Sequence, residues 1–425
     1  MNTYEKMIVD RIFPITHFNY CAMGSPGGRP ESVKDWVDAG LTLGQTPNFR
    51  LDRHDKADML AILDACSEHG IQAVVVDTRC NYPAFHNKGE KAFRAGLADA
   101  IADWGRHPAT FGLEAGDEPH GEMIPAAHRT AAIHKEIAPH LTHFMSFGGY
   151  SPHGAEWMGL RSYRKYLDDF CQAAHPRFIH MNNGGGMLDD PDAFDIYFRA
   201  TKMVADAAQR NDTRFWVTLL CAGHFTCKRP NEDQLRWQLN TAAASGAQGV
   251  GWFFLYMRKP HANYTDVPID EHWQRTEHFA RLSRVNRTFI KLHGPVITQL
   301  KLQRCFHVGR AFGGYPGTID SELVKAARVR TGDFPLIVSE FVDPAARPYV
   351  AIVNNSHDRF GQAVLTFHGR PEIHQVAWED TEQPAPRYVD DKNPANPAAM
   401  TAPWLAPGQM EVYRLEENHP PATKL

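Results

Sequence analysis

Phe111-Gly112-Leu113-Glu114-Ala115-Gly116-Asp117-Glu118-Pro119-His120 opens like a buried strand, loses its side chains at Gly116, and then delivers two adjacent carboxylates. Pro119 has no N–H for a sheet ladder, so the strand has to stop there. A helical segment, Ala126 to Ile137, comes next. Strand, acid pair, helix is the order expected at the C-terminal face of a β/α barrel, where strand ends carry the functional groups. The plainer alternative is that Asp117 caps the following helix and Glu118 sits in its first turn, where acids suit the helix dipole.

Outward from that stretch, short apolar runs alternate with longer amphipathic segments from residue 13 to about 293, the pattern of repeated βα units. The runs predict strands at Phe13 to Asn19, Leu41 to Thr46, Ile71 to Asp77, Ala109 to Leu113, Leu141 to Phe147, Arg177 to Met181, Arg214 to Leu220 and Gln248 to Leu255. Helices are expected at Glu31 to Ala39, Lys56 to His69, Lys91 to Trp104, Ala126 to Ile137, Tyr163 to Ala174, Ala193 to Gln209, Asn231 to Ala244 and His272 to Leu292. Eight of each fit a single (β/α)8 TIM barrel. A doubly wound sheet would announce a Gly-rich phosphate turn after its first strand. Ala22-Met23-Gly24-Ser25-Pro26-Gly27-Gly28 lacks that spacing, and Gly184-Gly185-Gly186 is not followed by Lys-Ser or Lys-Thr.

After His293-Gly294-Pro295 the pattern changes to short alternating strands separated by Pro, Gly, Asn and Asp. The clearest are Pro335 to Phe341, Tyr349 to Asn354, Gln362 to Phe367, Glu372 to Trp378 and Met410 to Leu415, with Gln383 to Pro407 read as a long surface connection. The expected organisation is a barrel over residues 8–294 and an all-β sandwich over 295–425.

Composition narrows the function. A net charge of −4 without a Lys or Arg run argues against nucleic acid and anionic membranes. The 23 histidines fall in no His-x-His or His-Glu-x-x-His arrangement, so neither a metal nor another cofactor is expected. Seven scattered cysteines read as free thiols, no apolar run reaches membrane-spanning length, and the start lacks a basic, apolar leader. A soluble cytoplasmic protein with a neutral substrate is the expectation.

The strand ends supply the candidate site: His17 and Asn19; Gln45 and Asn48; Asp77, Arg79 and Tyr82; Asp117 and Glu118; Ser146 and Tyr150; His180, Asn182 and Asn183; Cys221 and His224; Trp252, Tyr256 and Arg258, with Asp266 and Asp270 beyond. Amides, carboxylates, histidines and aromatics in one rim suit a sugar, whose hydroxyls want paired donors and acceptors and whose ring faces stack on aromatic planes. Bland readings stand beside each. They are a Trp252 packed between sheet and helices, a satisfied core histidine at His180 and an inert thiol at Cys221. No Gly-x-Ser-x-Gly is present, and Cys221 with His224 has no orienting third group, which argues against a nucleophilic triad.

Gly116-Asp117-Glu118-Pro119, the strand-seven phrase Phe215-Trp216-Val217-Thr218-Leu219-Leu220-Cys221-Ala222-Gly223-His224 and the strand-eight phrase Ala243-Ala244-Ser245-Gly246-Ala247-Gln248-Gly249-Val250-Gly251-Trp252-Phe253-Phe254 resemble clan A glycoside-hydrolase barrels. More closely they resemble bacterial glycoside-hydrolase-like proteins with an Asp-Glu-Pro motif and a C-terminal β domain. Val267-Pro268-Ile269-Asp270, Val285-Asn286-Arg287 and Leu405-Ala406-Pro407-Gly408-Gln409 agree with that likeness. The resemblance implies a polysaccharide-, oligosaccharide- or glycoside-cleaving hydrolase whose acid is Glu118. Three positions depart from it. Asp117 stands where an Asn is expected, the end of strand seven offers Cys221 to His224 without a carboxylate, and strand six ends in Asn182 and Asn183 where relatives often carry an aspartate.

The expected catalytic set is therefore Glu118 with Asp117 beside it and Asp77 as the base of an inverting reaction, Asp270 being the alternative base. An Asp77–Arg79 ion pair is the structural reading of the same residues. The substrate-binding set is His17, Asn48, Arg79, Asn182, Asn183, His224, Trp252, Tyr256 and Asp270. Two readings from other classes remain beside the hydrolase. One is a carbohydrate-binding barrel without catalysis; the other is a lyase or isomerase whose Arg79 and Arg258 hold a sugar acid.

Overall fold

The computed structural model describes residues 1–150, 152–258, 263–388 and 399–416. The chain divides into two compact units, Met1–Asn231 with Ala247–Arg287, and Glu232–Gly246 with Thr288 onward.

The first unit is built on eight parallel strands: β1 Ile15–His17, β2 Leu43–Gln45, β3 Gln72–Val75, β4 Thr110–Asp117, β5 Thr142–Phe147, β6 Phe178–Asn182, β7 Arg214–Leu220 and β8 Val250–Phe253. They pair in the order β1-β8-β7-β6-β5-β4-β3-β2, and Thr42 N donating to Ile15 O at 3.0 Å links the two ends of that order, as a TIM barrel requires. The strands alternate with helices, among them Lys56–Glu68, Tyr82–Trp104, Ile124–Ile137, Tyr163–Ala174 and Ala193–Arg210. A first helical segment from Tyr82, capped by Asn81, precedes the expected helix from Lys91, and a kink at Gly89 (φ 74°) separates the two.

A helix at Thr3–Val9 was not legible, since its apolar residues are too few for a periodic signal. Asn2 and Glu5 form a capping box at its start, and Asn2 Nδ2 donates to Leu141 O at 2.8 Å. Tyr4 and Met7 join Leu43, Val74, Phe111, Phe144, Phe178 and Trp216 in one buried cluster. Trp216 is its centre, stacked on Phe178 at 4.1 Å and edge-on to Tyr4 at 5.4 Å. Strand starts are filled by this apolar layer, which leaves the C-terminal ends for polar groups.

The second unit is a β-sandwich with the helix Glu232–Ala244 against it. Among the described residues one sheet runs Lys301–Val308, Leu336–Val342, Pro348–Asn354, Met410–Glu416, Glu372–Val376, Glu382–Pro384, and the other joins Val324–Thr331, Gly361–Phe367 and Met400–Thr401, with Trp404–Leu405 also on Gly361–Phe367. Val338, Val350, Ile352, Leu365, Phe367 and Leu415 form its core. Alternation inside and out made the central strands legible. Lys301–Val308 and Val324–Thr331 were missed because their exposed faces carry Lys, Arg and Gln. The expected connection from Gln383 to Pro407 contains three short strands, and its residues 389–398 lie outside the described ones. The helix Glu232–Ala244 packs here through Trp237, whose Nε1 donates to Asn355 Oδ1 at 2.8 Å.

Candidate active site

β4 carries the acids because of its last three residues. A register shift against β5 between Glu114 and Gly116 interrupts the regular alternation. Gly116 has φ 136°, and a Cβ there would lie 2.2 Å from Tyr82 Cδ1, so the Tyr82 ring occupies the space a side chain would need. The Tyr82 hydroxyl then donates to Asp117 O at 2.6 Å. Glu118 takes a left-handed conformation (φ 45°) while its N–H still reaches Ser146 O at 2.9 Å, which holds the acid to the sheet one residue beyond the strand.

Three strand ends converge on the carboxylates. Asn182, closing β6, donates through one amide nitrogen to Glu118 Oε1 at 2.8 Å and to Asp117 Oδ1 at 3.3 Å. Two carboxylate acceptors fix that nitrogen as the NH2. The Ser146 hydroxyl of β5 donates to Asp117 Oδ1 as well. Asp117 is pushed up to about 6, first by burial and then by the Glu118 charge, against the lowering effect of its Ser146 and Asn182 hydrogen bonds. Glu114, four residues earlier than Glu118, is pushed up to about 8 by burial and by Asp117. The sequence-based strand ends at Leu113 and leaves Glu114 without a role. Its only signal was a charged residue in an otherwise apolar strand.

A cavity of about 310 Å³ opens beside Glu118. Asn182, Tyr150, Thr218 and His224 give it polar wall, and Leu220 and Phe253 give it apolar wall. His224 sits beyond β7, where Gly223–His224 pairs with Tyr264–Thr265, and its ring lies parallel to Tyr264 at 5.1 Å. Tyr20, 41% exposed just past β1, packs edge-on against Phe253 at 5.9 Å. Tyr20 and Phe253 were not among the expected residues. Trp157, 65% exposed, lies against His120 at 4.8 Å, and His120 Nδ1 approaches Glu118 O at 2.9 Å.

Several expected residues are placed elsewhere, which corrects the sequence-based site. Asp77 is fully buried beneath Arg79 (Nη2 to Oδ2, 2.7 Å) and Trp104 (Nε1 to Oδ2, 2.9 Å), and Arg79 also reaches Asp103 at 2.8 Å. Neither lines the cavity, so the ion-pair reading describes them. His17 packs against Trp36 at 5.2 Å, and burial lowers it to about 3. Trp252 donates to Asn286 Oδ1 at 3.0 Å and is wholly buried, while Gly251 faces His180 and Thr16. The Tyr256 hydroxyl sits among Ser32, Asp35 and Trp36. Asp270 accepts from His272 N and Gln274 N at 2.9 and 2.8 Å, closing its own turn. Asn48 is exposed away from the cavity wall, and the Asn183 amide, though at the wall, is spent on Tyr197 O and Thr201 at 3.0 Å. Cys221 is buried, and burial pushes its thiol up. Among the described residues no group of His, Cys, Asp and Glu could hold a metal, and no helix is long and apolar enough to cross a membrane.

No family model and no curated protein matches the chain. Solved structures do resemble it. A catalytic mutant of a family 42 β-galactosidase from G. stearothermophilus is similar at a TM-score of 0.59 and 8% identity, over 96% of this chain and 98% of that one. A family 5 glycoside hydrolase from Bacteroides vulgatus gives 0.54 at 10% identity, covering 95% and 89%. A family 39 glycoside hydrolase from the gut symbiont Bacteroides cellulosilyticus gives 0.51 at 13%, covering 96% and 82%. The chain therefore shares the fold of those enzymes, a TIM barrel with a β domain. Likeness at this identity speaks for the fold alone.

Proposed function

We propose that the protein is a glycoside hydrolase in which Glu118 protonates the departing sugar oxygen. The observation that carries this is the position of the Glu118 carboxyl on the wall of a sugar-sized cavity, at the end of β4, held by the Asn182 amide at 2.8 Å. Asp117 acts as the second carboxylate, ionised above about pH 6, and stabilises positive charge as the anomeric carbon becomes oxocarbenium-like. The acid and the amide stand on exchanged strands relative to the resemblance, with Asp117 on β4 and Asn182 on β6. Because the two side chains touch, the exchange keeps one charge and one donor at the same place. Tyr150, Thr218 and His224 offer hydroxyl partners, and Phe253 with Tyr20 offers a stacking face.

Glu118→Gln is expected to lower turnover of an aryl glycoside by about a hundredfold to ten-thousandfold while sugar binding persists. Wild-type turnover by that variant would sink the assignment. Asp117 stands behind the wall, and besides Glu118 no carboxylate lines the cavity among the described residues, so a covalent glycosyl ester has no nucleophile there. The same feature favours a second reading, a barrel that binds carbohydrate without cleaving it. Saturable sugar binding with no product from any glycoside would decide for that reading.

A further inference from the structure

Arg258 follows β8 and is half-buried beside the cavity. Its guanidinium carbon stands 4.1 Å over the Tyr20 ring and 5.2 Å from the Tyr264 ring, and Nη1 donates to the Tyr264 hydroxyl at 3.1 Å. Tyr20 packs on Phe253 and Tyr264 lies parallel to His224, and both of those partners form cavity wall. The guanidinium is thus clamped at the edge of the site rather than free to sweep through solvent.

Its charge is unanswered among the described residues. Three other basic groups of the strand-end loops have acids: Arg79 has Asp77 and Asp103, Lys228 has Asp189 at 2.5 Å, and Arg229 has Asp266 at 2.9 Å. Among the described residues Arg258 forms no ion pair, and the Nε–Nη2 edge of its fork meets no acceptor. A half-buried cation held by two aromatic faces, with its fork open, is a receptor for a planar anion. Asp117 and Glu118 nearby set a limit on that anion. They would oppose a phosphate dianion more strongly than a single carboxylate, whose two oxygens match the open edge.

We propose that Arg258 is the anion-binding position of this cavity and that the sugar it selects carries a carboxylate, as in a uronic acid. The proposal rests on the glycoside-hydrolase reading for the reaction but not for the binding, and two measurements keep them apart. In the first, kcat/KM is compared for matched aryl uronides and neutral aryl glycosides. The wild type is expected to prefer the uronide. Arg258→Met is expected to lose about tenfold to hundredfold more on the uronide than on its neutral partner, chiefly in KM, with Arg258→Lys recovering part of the loss. A preference for the neutral glycoside, or an equal loss on both by a variant with wild-type circular dichroism, overturns the inference. In the second, calorimetry follows free glucuronic and galacturonic acid against glucose and galactose. If no glycoside is cleaved but uronate binds more tightly and Arg258→Met abolishes the difference, the hydrolase reading falls and the anion site stands. Equal binding of acid and neutral sugar overturns it, as does tighter binding of a 6-sulfated sugar than of the uronate.

Discussion

Glu114 and Asp117 carry the pH behaviour of the site. For Asp117, the ionised form is the one proposed to stabilise the transition state, so activity should rise as pH increases through about 6. Asp117→Asn is expected to lower kcat and to erase that acidic limb, and a limb that survives in the variant would assign it to another group. For Glu114 the prediction concerns stability. Its folded-state value of about 8 lies above the ordinary glutamate range, so between that range and pH 8 the folded chain holds a proton the unfolded chain has released. Stability contributed by that proton is present at low pH and lost as pH rises through about 8. Glu114→Gln cannot ionise, so its melting temperature should gain on the wild type from pH 5 to pH 9; a constant difference would count against it. Asp77 supplies the contrast. Asp77→Asn leaves Arg79 in a buried pair that has lost its charge, a change of about 3 to 5 kcal/mol in stability. Denaturant unfolding should show that loss while kcat per folded molecule holds, whereas a lost kcat with unchanged stability would restore Asp77 as a base.

At the scale of the element, β4 decides where the acids point. Its end was legible because Pro119 has no N–H to offer a ladder and so stops the strand just past the two acids. Its length was not. The expected strand stops at Leu113, whereas pairing with β5 continues to Asp117 across the register shift. Gly116→Ala would bring a Cβ to 2.2 Å from the Tyr82 ring in a backbone conformation that L residues rarely adopt. The expected cost is about 1 to 3 kcal/mol of stability, with turnover falling as Asp117 and Glu118 shift. Urea unfolding checks the first and kcat the second, and a variant matching wild type in both would remove the constraint. β8 shows the same limit of sequence reading. Trp252 and Phe253 are adjacent aromatics, and which of them faces the cavity depends on strand parity set by its pairing with β1 and β7.

At the scale of the molecule, cutting the chain near Gly294 divides the second compact unit rather than releasing a domain. The helix Glu232–Ala244 would lose Asn355, which accepts from Trp237, and the carbonyls of Pro407 and Gly408, which accept from Arg236 and Asn240 at 2.8 Å. Trp237, wholly buried in the full chain, would be uncovered. The truncated protein is expected to aggregate or melt at lower temperature; a soluble monomer with an unchanged melting point would contradict this.

By itself the sequence determined the alternation of eight strands with helices, the change to β structure after Gly294, and the presentation of Asp117 and Glu118 at a strand end. Periodicity and strand-ending residues are local properties, and a chain records them directly. The tertiary structure alone decided the partners. It sent Asp77 to Arg79 and Trp104, turned Trp252 to Asn286, brought Asn182 to both carboxylates, and placed Tyr20 and Arg258 beside Phe253 and His224. Each of those meetings joins residues far apart in the chain or depends on which face of a strand is buried. Neither the closure of the barrel nor the parity of its strands is written in any single stretch.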